Sequence, residues 1–179
     1  YLRKTLESLD QTVFLPWSQN STERCPHRLG ISINASTKKT KNILAQYDNI
    51  INIIVENNTN IGTAEAINSI WKYRLPGENA VKMDDDIVIH SNDWLYLMEE
   101  SIRRDPSIGQ IGLKRRDCIE SPFLQPNNFY RSELRMLPHQ PGEKWITVED
   151  VNHVMGTCVM HSSALLDKVG YLWQPGLYG

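Results

Sequence analysis

Apolar residues recur at helical spacing in some stretches of the chain and gather into short β-branched runs in others, and the two kinds of stretch alternate. Leu2, Leu6 and Leu9, with charges between them, predict an amphipathic helix at the start. Residues 16–28, which include Pro16 and Pro26, read as a polar loop, and LGISINAS (29–36) as a strand that ends in small polar residues. Residues 37–47 predict a short helix and INIIVEN (51–57) a buried strand. After the loop NNTNIG, the spacing of Ala64, Ile67, Ile70 and Trp71 predicts a helix from Thr63, stopped by Pro76-Gly77.

AVKMDDDIVI (80–89) follows as a strand that carries three adjacent carboxylates. Ser91 or Asn92 then caps a helix whose apolar face is Trp94, Leu95, Met98 and Ile102, ending near Asp105-Pro106. IGQIGL (108–113) is a short strand, and 114–153, rich in Pro, Asn and charge, reads as an irregular insertion with one hairpin. GTCVMHS predicts a strand and SALLDKVG a helix closed by Gly170. Strands alternating with helices indicate an α/β sheet, mostly parallel in its first half. Ligands of such sheets bind outside the carboxyl ends of the strands, where Asn34, Asn60 and Asp84, Asp85 and Asp86 would converge.

Composition narrows the partners. A chain of 179 residues, 40% hydrophobic and 22% charged, buries a sizeable core as one domain. A net charge of -2 and a pI near 6.2 give no basic surface for nucleic acid, although seven Lys and Arg against three Asp and Glu in residues 1–44 make that end locally basic. Cys25, Cys118 and Cys158 are widely spaced with no CxxC pair, which resembles neither a disulfide framework nor a zinc site and favours a reducing compartment. With no signal-peptide pattern and no apolar run of about eighteen residues to span a bilayer, the expectation is a cytoplasmic protein. Peripheral association with the inner face of a membrane, through parts outside this sequence, stays open.

Carboxylates are hard ligands suited to Mg²⁺ or Mn²⁺, which one or two of them hold together with substrate phosphates. In an extended strand Asp84 and Asp86 point to one side and Asp85 to the other. The alternative is that the three end the strand in solvent and begin a turn. An apolar strand followed by DxDxV also looks like the first motif of haloacid dehalogenase-like phosphatases, with Asp84 as nucleophile. That family has a later paired acidic motif; here Glu149-Asp150 is the nearest substitute.

The ordered set NTNIGTAEAIN (58–68), KMDDDIVIHSNDWL (82–95) and GTCVMHSSALLDKVGYL (156–172) resembles family 2 glycosyltransferases of the GT-A fold, over most of 28–113 and 156–179. The resemblance implies a Rossmann-like mixed sheet flanked by helices, with a nucleotide-sugar-binding half (1–113) and an acceptor-side half (114–179). It implies transfer of a sugar from a nucleotide diphosphate sugar to a glycan or other hydroxyl acceptor, with Mn²⁺ or Mg²⁺ as cofactor. Asp86 and Asp84 would hold the metal, and Asn34, Asn60, Gly62, Asp84 and Asp85 would bind the donor. A metal that neutralises the departing diphosphate acts as Lewis acid and template.

Some positions depart from that pattern. Asn34 and Ile67 stand where the family often has an acidic residue and an arginine, and Lys82, Arg115 and Arg116 are cations that could compensate. Asn68 and His161 read as structural, and Trp145, Tyr171, Trp173 and Tyr178 offer stacking surface for an acceptor sugar, with Trp94 in the core. By the same resemblance the chain opens at the family's first helix, without its first strand. It also stops before the acidic ED-type motif that supplies the general base of inverting members, so the base is expected beyond Gly179.

Overall fold

A computed structural model describes residues 1–20, 25–113, 132–151, 154 and 156–172. The chain is a mixed α/β protein. Its helices are α1 (Leu2–Leu9), α2 (Leu15–Asn20), α3 (Lys38–Leu44), α4 (Thr63–Trp71), α5 (Trp94–Arg104) and α6 (Ser163–Val169). Its strands are β1 (Leu29–Asn34), β2 (Ile51–Asn57), β3 (Ala80–Met83), β4 (Gln110–Gly112), β5 (Ser132–Met136), β6 (Thr147–Val151) and β7 (Cys158–His161). Residues 114–131 and 173–179 lie outside the description, and with them Arg115, Arg116, Cys118, Trp173 and Tyr178.

Three sheets form among the described residues. β1 and β2 pair in parallel, β7 lies between β3 and β4 and is antiparallel to both, and β5 and β6 make a hairpin. The parallel character expected of the first half therefore holds for β1 and β2 only. β3 takes its partner from the far end of the sequence, which local pattern does not reveal.

Four local expectations are corrected. Residues 80–89 are not one strand: β3 ends at Met83, and Asp85 and Asp86 lie in a turn. Carboxylates are poor ladder residues, and the last pairing contact is the Asp84 amide donating to the Thr157 carbonyl at 2.9 Å. The IVI that follows is unpaired; Ile89 is buried in the core while Val88 is exposed. β2 is not buried on both faces but alternates, with Ile54 exposed, as befits a strand with one face packed and the other solvated. The polar loop at 16–28 begins later than expected, because a π-helical turn (Asp10–Phe14) carries α1 into α2, of which Pro16 is the second residue. The N-cap of α5 is Asp93, to which Ser91 donates at 2.5 Å.

The main core joins α1, α5 and the β3-β7-β4 sheet through Leu9, Ile89, Trp94, Met98, Cys158 and Met160. A second cluster, Leu6, Ile33 and Leu44, ties α1 and α3 to β1. Between β1 and β3 lies an apolar cavity of about 510 Å³, bordered by Leu29, Ile31, Val81 and Met83, with Leu6 of α1 and Ile70 of α4 also lining it. α4 approaches β1 closely because Gly30 lies under Ile70, where a Cβ would collide with the isoleucine methyl. The segments before both strands border this cavity, through Arg28 and Asn79; the end of β1 borders a second one, and Met83, Asp84 and Asp85 at the end of β3 border both. The carboxyl ends of β1 and β3 thus both reach the second cavity.

Candidate functional site

The second cavity, about 390 Å³, lies at those ends. Asn34 and Ser36 border it from β1 and its exit, Lys82, Asp84 and Asp85 from β3 and its exit, and Thr63 and Ile67 from α4. Asp84 and Asp85 border both cavities, whereas Asn34, Ser36, Lys82 and Thr63 border only the smaller one. Thr63 is the first residue of α4, so this helix presents the positive end of its dipole at the cavity.

Asn34, Asn60 and Gly62 come together as the sequence implied, in a closed hydrogen-bond set. The Asn34 amide nitrogen donates to Asn60 Oδ1 at 2.9 Å and to the Gly62 carbonyl at 3.4 Å; its oxygen accepts from the Ile61 amide at 2.9 Å. Asn60 Oδ1 also accepts from the Gly62 amide at 2.9 Å. Both protons of the Asn34 amide are thereby used inside the fold, which makes Asn34 a clasp between β1 and the 60–62 loop. The next residue, Ala35, has φ +57 and donates its amide to the Asn57 carbonyl. A non-glycine residue in the left-handed region is uncommon, and here it turns the chain sharply at the cavity rim.

Lys82 is no solvated charge. Its ammonium donates to Asp84 Oδ1 and to the Gly156 carbonyl, and its side chain is 17% exposed. Asp84 is half-buried, whereas Asp85 and Asp86 are exposed. The expectation that Asp84 and Asp86 share one side of a strand falls with the strand, since Asp86 sits in the turn, and it does not line the cavity. Among the described residues no three His, Cys, Asp or Glu side chains gather where they could hold a metal ion. What is present fits a cation only as Mg²⁺ is commonly held, by one or two carboxylates with the remaining positions given to water and phosphate oxygens.

A hydroxyl ladder on α1 supports the acidic turn. Thr5 Oγ1 donates to the Asp85 carbonyl at 2.9 Å, Ser8 to the Thr5 carbonyl at 2.8 Å, and Thr12 to the Ser8 carbonyl at 2.7 Å. The Trp94 indole N–H then donates to Thr12 Oγ1 at 3.2 Å. These buried residues were missed in the sequence, although Thr5, Ser8 and Thr12 recur at helical spacing beside Leu9.

Asn68, His161 and Trp94 take structural places. The Asn68 amide exchanges two hydrogen bonds with the Leu172 backbone, at 2.8 and 3.0 Å. His161 is 8% exposed, edge-on to Trp71 with ring centroids 5.0 Å apart and Nδ1 3.1 Å from the Gln110 amide. Burial, and then the Lys82 charge, lower its pKa from the ordinary histidine value. Burial likewise pushes the Cys158 thiol up to about 12, which makes it unreactive. Trp145 and Tyr171 are exposed, and Glu149 and Asp150 belong to the β5-β6 hairpin, where Asp150 is paired with Arg135. That guanidinium holds the Asp150 carboxyl below its usual range.

Compared with known proteins, the chain matches no family model, and no curated protein and no solved structure is significantly similar to it. Among the described residues no helix is long and apolar enough to cross a membrane.

Proposed function

We propose that the chain is a metal-dependent glycosyltransferase domain of GT-A type, which moves a sugar from a nucleotide diphosphate sugar to the hydroxyl of a glycan or similar acceptor. The observation that carries this reading is the cavity at the carboxyl ends of β1 and β3, where Asp84 and Asp85 meet the start of α4 and the Asn34 clasp. Such an edge is where open α/β sheets bind nucleotides. The ordered sequence motifs supply the class of reaction.

In this reading Asp84 holds Mn²⁺ or Mg²⁺ together with the two donor phosphates, and Asp85 takes part in donor binding; Asp86, which does not border the cavity, is left out of the site. The cation supplies Lewis-acid stabilisation of the leaving diphosphate. The start of α4 adds a favourable field for the phosphates. Asn34, Asn60 and Gly62 shape the donor pocket through the clasp.

Calorimetric titration with UDP-, GDP- and dTDP-sugars, with and without Mn²⁺, tests the proposal. Binding of one of them that requires the metal and is abolished in Asp84→Asn is the expected result. Folded protein that binds none of them in a metal-dependent way would refute it. A second reading, binding without turnover, draws on the fact that Asp84 and Asp85 are the only carboxylates among the described residues lining the cavity, so no separate base stands there. Sugar release or transfer in the presence of acceptor glycans separates the two.

A further inference from the structure

The partners of Lys82 bear on how this site takes up its ligand, on the metal–diphosphate reading given above. Lys82 lies in β3 and Asp84 directly follows its last residue, and both border the cavity. Their ion pair is closed on one side by the Gly156 carbonyl, which accepts from the same ammonium. A lysine with only 17% of its side chain exposed has given up most of its hydration, and the Asp84 carboxylate and one carbonyl replace it. The ammonium therefore sits on the carboxylate that a divalent cation needs, and an ammonium and a dication repel one another at such a range.

We propose that Lys82 is the resident counter-ion of the site and changes partner when ligand arrives. In the free protein it neutralises Asp84. When a diphosphate enters with its divalent cation, the cation takes the Asp84 carboxylate and the ammonium turns to a phosphate oxygen. Charge at the site stays nearly balanced before and after, so no buried ion is left unpaired. Lys82 is in this sense a positioning and specificity residue: it makes the site refuse a lone cation and accept a cation already accompanied by diphosphate.

Two linked affinities follow. Mn²⁺ alone binds weakly because it must displace Lys82, and diphosphate strengthens Mn²⁺ binding by giving Lys82 another partner; by reciprocity Mn²⁺ strengthens diphosphate binding equally. The test uses Mn²⁺ and inorganic pyrophosphate, separately and together, with free Mn²⁺ read by electron paramagnetic resonance and pyrophosphate by calorimetry. Lys82→Met is expected to bind Mn²⁺ alone about tenfold more tightly and pyrophosphate alone about tenfold more weakly, each shift being worth about 1.4 kcal/mol. Lys82→Arg, which keeps the charge, retains pyrophosphate binding. Lys41→Met, which removes a solvent-side cation paired with Glu56, leaves both affinities where they were.

Shifts of opposite sign in Lys82→Met, absent in Lys41→Met, establish the exchange. Should Lys82→Met fail to fold, Lys82→Gln is read by the same criteria. If both ligands bind but their affinities in the folded variant stay within twofold of the parent, the exchange is refuted while the metal–diphosphate reading stands. If the parent protein binds neither ligand, both fall. If the exchange is seen but no nucleotide sugar is bound, only the sugar-transfer reading is lost.

Discussion

Two single residues carry testable consequences. Gly62, the N-cap of α4, has φ +84 and ψ +166, a region that side chains avoid. Gly62→Ala should cost about 1–3 kcal/mol and pull the 60–62 loop off Asn34. Chemical denaturation should show a lower midpoint with an unchanged slope, and an unaltered midpoint would contradict the strain. His161 is held neutral by burial, so its pKa in the fold lies below the 6.5 of an exposed histidine. Between those two values the unfolded chain binds more protons than the folded one. This contribution is therefore intact above pH 6.5, declines as pH falls toward the folded-state pKa, and levels off below it. His161→Gln should flatten that part of the stability profile measured by urea unfolding between pH 5 and 7.5, and an unchanged slope would count against it.

At the scale of elements, α1 reaches across to the acidic turn through one hydroxyl. Thr5→Val keeps the shape and removes the bond to the Asp85 carbonyl, which should cost about 1 kcal/mol and weaken donor binding more than it weakens folding. Equal donor affinity in the folded variant would sever α1 from the site. The elements most legible in the sequence are those fixed by local chemistry. β2 has the bounds its β-branched run gives, α4 begins at Thr63 behind a glycine that must be glycine, and α6 is capped by Ser162 and closed by Gly170 at φ +73. What was not legible depends on distant partners. The end of β3 is set by where β7 starts to pair, and the occupation of Lys82 by Asp84 and Gly156 needs a residue far along the chain. The Asn34 clasp lay between: its three residues were picked out, yet their bonding to one another rather than outward to a ligand required the loop to be built.

For the molecule as a whole, the described strands make no continuous ladder. β7 is paired on both sides, whereas among the described strands β1 pairs only with β2 and β3 only with β7, and the apolar cavity separates these two. Amide exchange should accordingly be slowest at Val159 and Met160 and faster for the cavity-facing amides of β1 and β3. Uniform protection across β1, β3 and β7 would show that the two sheets open as one. Asn34 ends β1 and Asp84 follows the last residue of β3, so the width of the cavity at these ends is a distance between two sheets held by side-chain packing. A ligand that touches both ends then works as a rivet. Its arrival should slow exchange in β1 and β3 together, although it contacts only their last residues, and the stiffness of the domain becomes a property that the ligand confers.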